Sequence, residues 1–137
     1  MSFLLHKAFL TPAEQQEIIR ILRGIKPGFY TPRLHSGKAM NIGMNCLGWH
    51  WDAKTYRYDK TRTDVDGQRC APIPETLQGM ARRALLDTGY WPEADIKPFD
   101  ILIANHYPER TGRLGLHQDN SESEILVTLT PPSHISL

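Results

Sequence analysis

The sequence predicts an α+β chain folded as one domain. Three observations lead there. Two stretches carry apolar residues at helical spacing and open on helix-start signals. Other stretches are rich in β-prone residues and end at Gly or Pro turn signals. A length of 137 residues bounds the chain to one domain, and a hydrophobic content of 40% is compatible with a globular core.

Taken in order, residues 3–10 read as a short strand leading in. Thr11-Pro12-Ala13-Glu14 is a helix start: Thr11 caps, Pro12 fits the first helical position, and Glu14 completes a capping box. Ile18, Ile19, Ile21 and Leu22 form the apolar face, and Gly24 marks the stop. Met40 to Cys46 reads as a strand. Between Leu47 and Arg62, the aromatics Trp49, Trp51, Tyr56 and Tyr58 are interleaved with Lys54, Arg57, Lys60 and Arg62. Two readings stay open on spacing alone. One is an edge hairpin with a solvated charged face. The other is a surface where rings stack on bases and cations meet phosphates.

Thr63 to Ala71 is polar, with Asp66-Gly67 as a turn. Pro74 opens a second helix, on which Leu77, Met80, Ala81, Ala84 and Leu85 recur at helical spacing, and Gly89 sits at its end. Arg82 and Arg83, on its polar side, are read as solvated. Residues 91–98 form a loop. Phe99 to Tyr107 is β-rich and enters a Pro/Gly turn, and Arg113 to Leu116 follows as a second short strand. Ile125 to Thr130 is β-prone, and residues 133–137 begin another strand.

A formal charge of +1 excludes a grossly basic nucleic-acid binder but leaves room for a local basic patch. Cys46 and Cys70 lack the close pairing of a zinc knuckle or redox motif, so reduced thiols and a cytoplasmic location are expected. The N-terminus has no signal-peptide pattern. No stretch approaches the ~20 apolar residues of a membrane span, so no membrane partner is expected.

His-x-Asp occurs twice, as His50-Trp51-Asp52 and His117-Gln118-Asp119. On a strand, positions i and i+2 share a face, so each tripeptide aims an imidazole and a carboxylate at one point. That is two thirds of the 2-His-1-carboxylate set that holds non-haem Fe(II). A His-x-Asp alone is ordinarily a capped turn or a surface pair. Context favours the second copy, which follows strand, turn and strand. Neither His-Glu-x-x-His nor a Cys/His cluster is present, which argues against a hydrolytic zinc enzyme.

Three stretches then combine. Leu47-Gly48-Trp49 is followed by Tyr56-Arg57-Tyr58. Ala71-Pro72-Ile73-Pro74 leads into the helix that ends at Gly89-Tyr90. Asn105-His106-Tyr107 precedes His117-Gln118-Asp119. In this order, over residues 38–137, they resemble the AlkB family of Fe(II)/2-oxoglutarate dioxygenases, which remove alkyl groups from nucleic-acid bases or, in some members, from protein. The resemblance implies a double-stranded β-helix (jelly roll) with two packed helices. Residues 1–37 would be a helical lead-in, 38–70 a nucleotide-recognition lid, and 71–137 a helix plus the first part of the jelly-roll core.

By position, His117 and Asp119 match the family's catalytic iron ligands, and Asn105 and Tyr107 match residues that hydrogen-bond 2-oxoglutarate. Trp49 and Tyr56 match lid positions that hold the nucleotide, and Tyr58 extends that lid. His106 and His50 are read as ordinary side chains. The implied cofactor is Fe(II), with 2-oxoglutarate and O₂ as cosubstrates. The implied reaction is oxidative demethylation of an alkylated base, yielding succinate, CO₂ and formaldehyde. A base stacked in a duplex cannot reach such a pocket, so a single-stranded or flipped substrate is expected.

The family also uses a distal His ligand and an Arg that clamps the far carboxylate of 2-oxoglutarate. His134 is the sole histidine after His117 and is read as a strand residue. The chain is therefore expected to be a C-terminally truncated member, its jelly roll incomplete at that end. Weak or no turnover is expected of the isolated chain, and completion of the barrel by a partner is the alternative to truncation. Two alternatives stand beside this reading: a non-catalytic single-stranded nucleic-acid-binding remnant, and a dioxygenase of the same fold acting on protein or a small molecule.

Overall fold

The computed structural model describes residues 4–110, together with 112, 127 and 129. The pair His117 and Asp119, the strands expected at 113–116 and 133–137, the strand expected at 125–130 apart from residues 127 and 129, and His134 lie outside the described residues. Within them the chain is α+β. Its order is α1 (Pro12–Gly24), β1 (Gly43–Leu47), β2 (His50–Asp52), β3 (Arg57–Asp59), α2 (Glu75–Asp87) and β4 (Leu102–His106), with a short 3₁₀ turn at Glu93–Asp95 before β4. The described residues divide into two compact units, one of residues 4–21 and 74–99, the other of residues 22–73 and 100–110.

The first unit is helical. Its capping box forms as the sequence predicts: the Glu14 N–H donates to Thr11 Oγ1 at 3.1 Å, and the Thr11 N–H donates to Glu14 Oε1 at 3.0 Å. Leu10, Ile18, Ile19, Leu77, Met80, Leu85 and Ile96 are its buried apolar residues. The strand expected at 3–10 is absent from residues 4–10. Ala8 takes a φ of +56° in a turn, which interrupts extended chain, and Leu4 and Leu5 stay exposed.

Arg82 and Arg83 lie on the solvated side of α2, as the sequence suggests, and also carry structural contacts. Arg82 donates to the carbonyls of Ile96 (2.9 Å) and Glu93 (3.1 Å). Arg83 donates to Glu14 and lies 4.7 Å over the Phe9 ring. Beside them the Gln78 amide bonds both ways to the Phe99 backbone, at 2.7 and 2.9 Å. The polar side of α2 thus fastens the loop that leads to β4.

The second unit contains the strands. β1 pairs antiparallel with β4, placing Met44 opposite Asn105 and Cys46 opposite Ile103. Tyr30 bridges to Met44 on the other edge of β1. β2 and β3 form a separate antiparallel hairpin, with Trp51 opposite Tyr58. Gly48, between β1 and β2, has a φ of +79°, and a Cβ there would lie 2.1 Å from the Asp100 carbonyl oxygen. Only glycine fits at that approach.

Four polar side chains are buried in this unit: Asn45, His50, Asp52 and Arg62. Arg62, read from the sequence among cations available to phosphate, is instead internal scaffold. Its guanidinium grips the Asp66 carboxylate through Nε (3.1 Å) and Nη2 (2.7 Å). Nη1 donates to the Gly28 carbonyl at 2.6 Å, and the group lies 4.8 Å over the Tyr30 ring. A desolvated guanidinium is tolerated only with such a full set of acceptors.

Candidate functional site

β4 is the first of two places where the predicted site residues gather. Alternation along the strand buries Ala104 and exposes Ile103 and Asn105, and Tyr107 just beyond the strand is 49% exposed. Asn105 leaves β4 on its exposed side. His106 leaves on the other, where its ring packs edge-on against Phe29 at 6.2 Å. It is an ordinary packed histidine, as the sequence suggests. The expected Pro/Gly turn follows: the Gly112 N–H donates to the Pro108 carbonyl at 2.8 Å, and a Cβ at 112 would meet the Pro108 backbone at 2.6 Å.

The second place is the β2–β3 hairpin. Its buried face is polar and fully engaged. Asp52 accepts the N–H groups of Lys54 (2.8 Å) and Thr55 (3.0 Å) on one carboxylate oxygen and the Thr63 hydroxyl (2.5 Å) on the other. Burial alone pushes the Asp52 carboxyl up, but these donors outweigh it and hold it below the ordinary carboxylate value. Asp64 joins His50 Nε2 at 2.5 Å and accepts the Ala53 N–H at 3.2 Å. Both members of the first His-x-Asp therefore hold the hairpin's shape. Among the described residues no three His, Cys, Asp or Glu side chains gather as a metal site.

His50 is wholly buried, and its Nδ1 has no hydrogen-bond partner. The Cys46 thiol, also buried, lies close enough to influence it, and Tyr30 Oη stands 3.7 Å from the sulfur. Burial pushes the imidazole down, yet Cys46 and Asp64 raise it beyond that penalty. Burial pushes the thiol up, yet His50, the Trp51 N–H and Tyr30 together bring it below its ordinary value. The Tyr30 hydroxyl is raised, first by burial and then by Cys46.

The outer face of the hairpin is aromatic. Trp51 and Tyr58 lie with ring centroids 4.9 Å apart, and Tyr56 meets the Trp51 ring edge-on at 6.0 Å. His35 approaches Tyr56 at 6.2 Å. Trp49, in the turn between β1 and β2, is 37% exposed and carries Lys60 Nζ 4.0 Å over its ring. The structure thus brings Tyr56 and Tyr58 together around Trp51. Trp51 and His35 were not among the residues selected from sequence. For Trp51 the signal was present: with His50 and Asp52 turned inward, the residue between them must turn outward. No local signal points to His35, which meets Tyr56 from a different loop.

The antiparallel β1–β4 pair, with Asn105 exposed on β4, and the aromatic hairpin belong to the same unit. Residues 2–132 match the 2OG-Fe(II) oxygenase superfamily, and the chain belongs to that family. Within it, the chain is similar to two proteins of Arabidopsis thaliana. One, named DNA N(6)-methyladenine demethylase ALKBH1D, is 40% identical over 88% of this chain and 30% of its own length. The other, DNA N(6)-methyladenine demethylase ALKBH1C, is 34% identical over 88% of this chain and 29% of its own length. The solved structure of OsALKBH1 superposes with a TM-score of 0.66 at 32% identity, covering 86% of this chain and 57% of that one. The AlkB resemblance read from the motifs is thereby shown. The chain spans about 30% of the length of the curated relatives it matches.

Proposed function

We propose that the chain carries the substrate- and cosubstrate-binding part of an AlkB-type Fe(II)/2-oxoglutarate dioxygenase that oxidatively demethylates nucleic-acid bases. N6-methyladenine in DNA, named for the Arabidopsis relatives, is the first substrate to test. The reading also takes the core to be a jelly roll and the location to be cytoplasmic. The observation that carries it is the sidedness of β4. Asn105 is exposed while His106 packs away against Phe29, and Tyr107, at the next position of the same alternation, is exposed as well.

An amide and a phenol offer hydrogen bonds suited to a dicarboxylate. Fe(II), held by His117 and Asp119, would supply the oxidising chemistry when bound together with 2-oxoglutarate and O₂. The described residues fit that assignment in one respect: His50 and Asp52, the competing pair, are already committed to Asp64, Lys54, Thr55 and Thr63. This chain's own contribution is to orient the cosubstrate through Asn105 and Tyr107. The nucleotide would be held by Trp49, Tyr56 and Tyr58, single-stranded or with its base flipped out.

A second reading, single-stranded nucleic-acid binding without turnover, is favoured by the aromatic hairpin, whose cluster needs no metal. One assay separates these readings and the protein or small-molecule alternative. Formaldehyde released from an N6-methyladenine oligonucleotide in step with succinate, however slowly, is the expected result. Binding with no product supports the non-catalytic reading, and succinate formed only with protein or small-molecule substrates supports the third.

A further inference from the structure

His35 stands at the tip of a tight loop. Arg33 and Ala39 pair across its base, the Leu34 N–H donates to the Lys38 carbonyl at 2.9 Å, and the Gly37 N–H donates to the Leu34 carbonyl at 2.8 Å. Gly37 has a φ of +89°, and the Arg33 guanidinium donates to its carbonyl at 2.9 Å. The loop is therefore shaped by its own hydrogen bonds, and His35 is exposed on it.

Opposite stands Tyr56. It is a non-glycine residue with φ of +55°, a conformation costing about 1 kcal/mol or more that persists only where its surroundings impose it. They do so here: the Tyr56 N–H donates to the Asp52 carbonyl at 2.9 Å, and the Asp52 carboxylate fixes the two residues before it. Trp51 backs the ring from the side, with planes 75° apart. The ring is nevertheless 64% exposed. A strained backbone holding an aromatic ring in water does nothing for a hydrophobic core.

The His35 and Tyr56 ring centroids lie 6.2 Å apart, with planes 36° from parallel. A flat ring inserted between two others needs two van der Waals spacings, about 7 Å in all. The loop tip would have to yield by only about 1 Å. Arg33, Lys38 and Lys54 on the same two loops, and Arg57 at the start of β3, are exposed cations that suit a phosphate backbone.

We infer that His35 and Tyr56 form an open slot that clamps one unpaired nucleobase of a single strand. That base flanks the one being demethylated, so Tyr56 holds the substrate strand through the neighbouring base and leaves the reacting base to the pocket. The reacting base must enter a water-excluded pocket, whereas this slot is open to solvent. His35 is then a substrate-gripping residue contributed by a loop outside the aromatic hairpin. It makes the protein favour single strands, because a base in a duplex already has both faces stacked. The inference rests on the nucleic-acid reading above.

The test is binding of a single-stranded oligonucleotide carrying 2-aminopurine, whose fluorescence is quenched by stacking, to the full chain. His35 lies at an exposed turn, so His35→Ala and His35→Phe should fold, which thermal melting checks. Wild type should bind with quenching. His35→Ala should bind about tenfold more weakly, the order expected for one base–aromatic stack, with the quench reduced. His35→Phe should restore both to within about twofold, since the ring is what matters. A duplex of the same sequence should bind more weakly than the single strand. Wild-type binding that His35→Ala leaves unchanged overturns the slot while the nucleic-acid reading stands, as does a His35→Phe chain that behaves like His35→Ala. Failure of the wild type to bind any single strand removes both.

Discussion

The β2–β3 hairpin and the end of β4 present the same kinds of side chain, polar and aromatic, yet use them in opposite ways. In the hairpin the polar groups face inward and hold shape: His50 on Asp64, Asp52 on three donors, and nearby Arg62 on Asp66 and Gly28. The aromatics Trp51, Tyr56 and Tyr58 are left outside. In β4 the shape comes from backbone pairing with β1, and Asn105, with Tyr107 just beyond the strand, is exposed among the described residues. A three-residue strand pair has too few ladder bonds to stand alone and needs its buried polar set. A five-residue strand paired along its length does not. A motif of polar residues therefore reads as a site only where the backbone already accounts for the fold.

This contrast can be broken at several points. The largest effect is expected from Arg62→Ala, which strips Asp66 of its bidentate partner and leaves the Gly28 carbonyl unpaired. A loss on the order of 3 kcal/mol is expected, read as a fall in the urea midpoint with unchanged m-value. An unchanged midpoint would mean that the buried polar set does not support the hairpin.

A smaller effect should appear with pH. Asp52 titrates lower in the fold than in the unfolded chain. Its stabilisation is thus present above about pH 4 and lost as pH falls through its folded value. His50 is raised, so its contribution is present below about pH 6.5 and lost as pH rises through its folded value. Urea midpoints should fall on the acid side in wild type and less steeply in Asp52→Asn. His50→Gln should flatten the part of the neutral limb that comes from this imidazole.

The smallest stability effect belongs to β4. Asn105→Ala should change the unfolding free energy by less than about 0.5 kcal/mol, as for an exposed surface side chain. The same substitution should weaken 2-oxoglutarate binding about tenfold, the size of one hydrogen bond to a charged group. If Asn105→Ala unfolds the chain instead, the division between scaffold and site fails.

Much of this was legible in the sequence where the cause is local. The capping box at Thr11 and Glu14, the helix opening at Pro74, the turn at Asp66-Gly67 and the strand before Tyr107 all rest on neighbours a few residues apart. What was not legible depends on distant partners. Arg62 looks like one more cation until Gly28 and Asp66 are seen to hold it. Arg82 looks solvated until Glu93 and Ile96 meet it. Residues 4–10 have a β-prone composition, but the turn at Ala8 takes the chain out of extended conformation. His35 carries no signal at all, because its neighbour Tyr56 comes from another loop. At the site, strand alternation accounts for the exposed Asn105 beside the packed His106, whereas the preference for His117 and Asp119 over His50 and Asp52 rests on sequence context and the family resemblance, and that pair lies outside the described residues.

The most direct measurement is an anaerobic titration of the chain with Fe(II) and 2-oxoglutarate, following the visible charge-transfer absorption of the chelated metal. A band that weakens in Asn105→Ala and Tyr107→Phe, disappears in His117→Ala, and persists in a folded His50→Gln chain is the expected result. A band that needs His50 but not His117, or one that ignores Asn105 and Tyr107, would contradict the assignment of the site to the exposed side of β4.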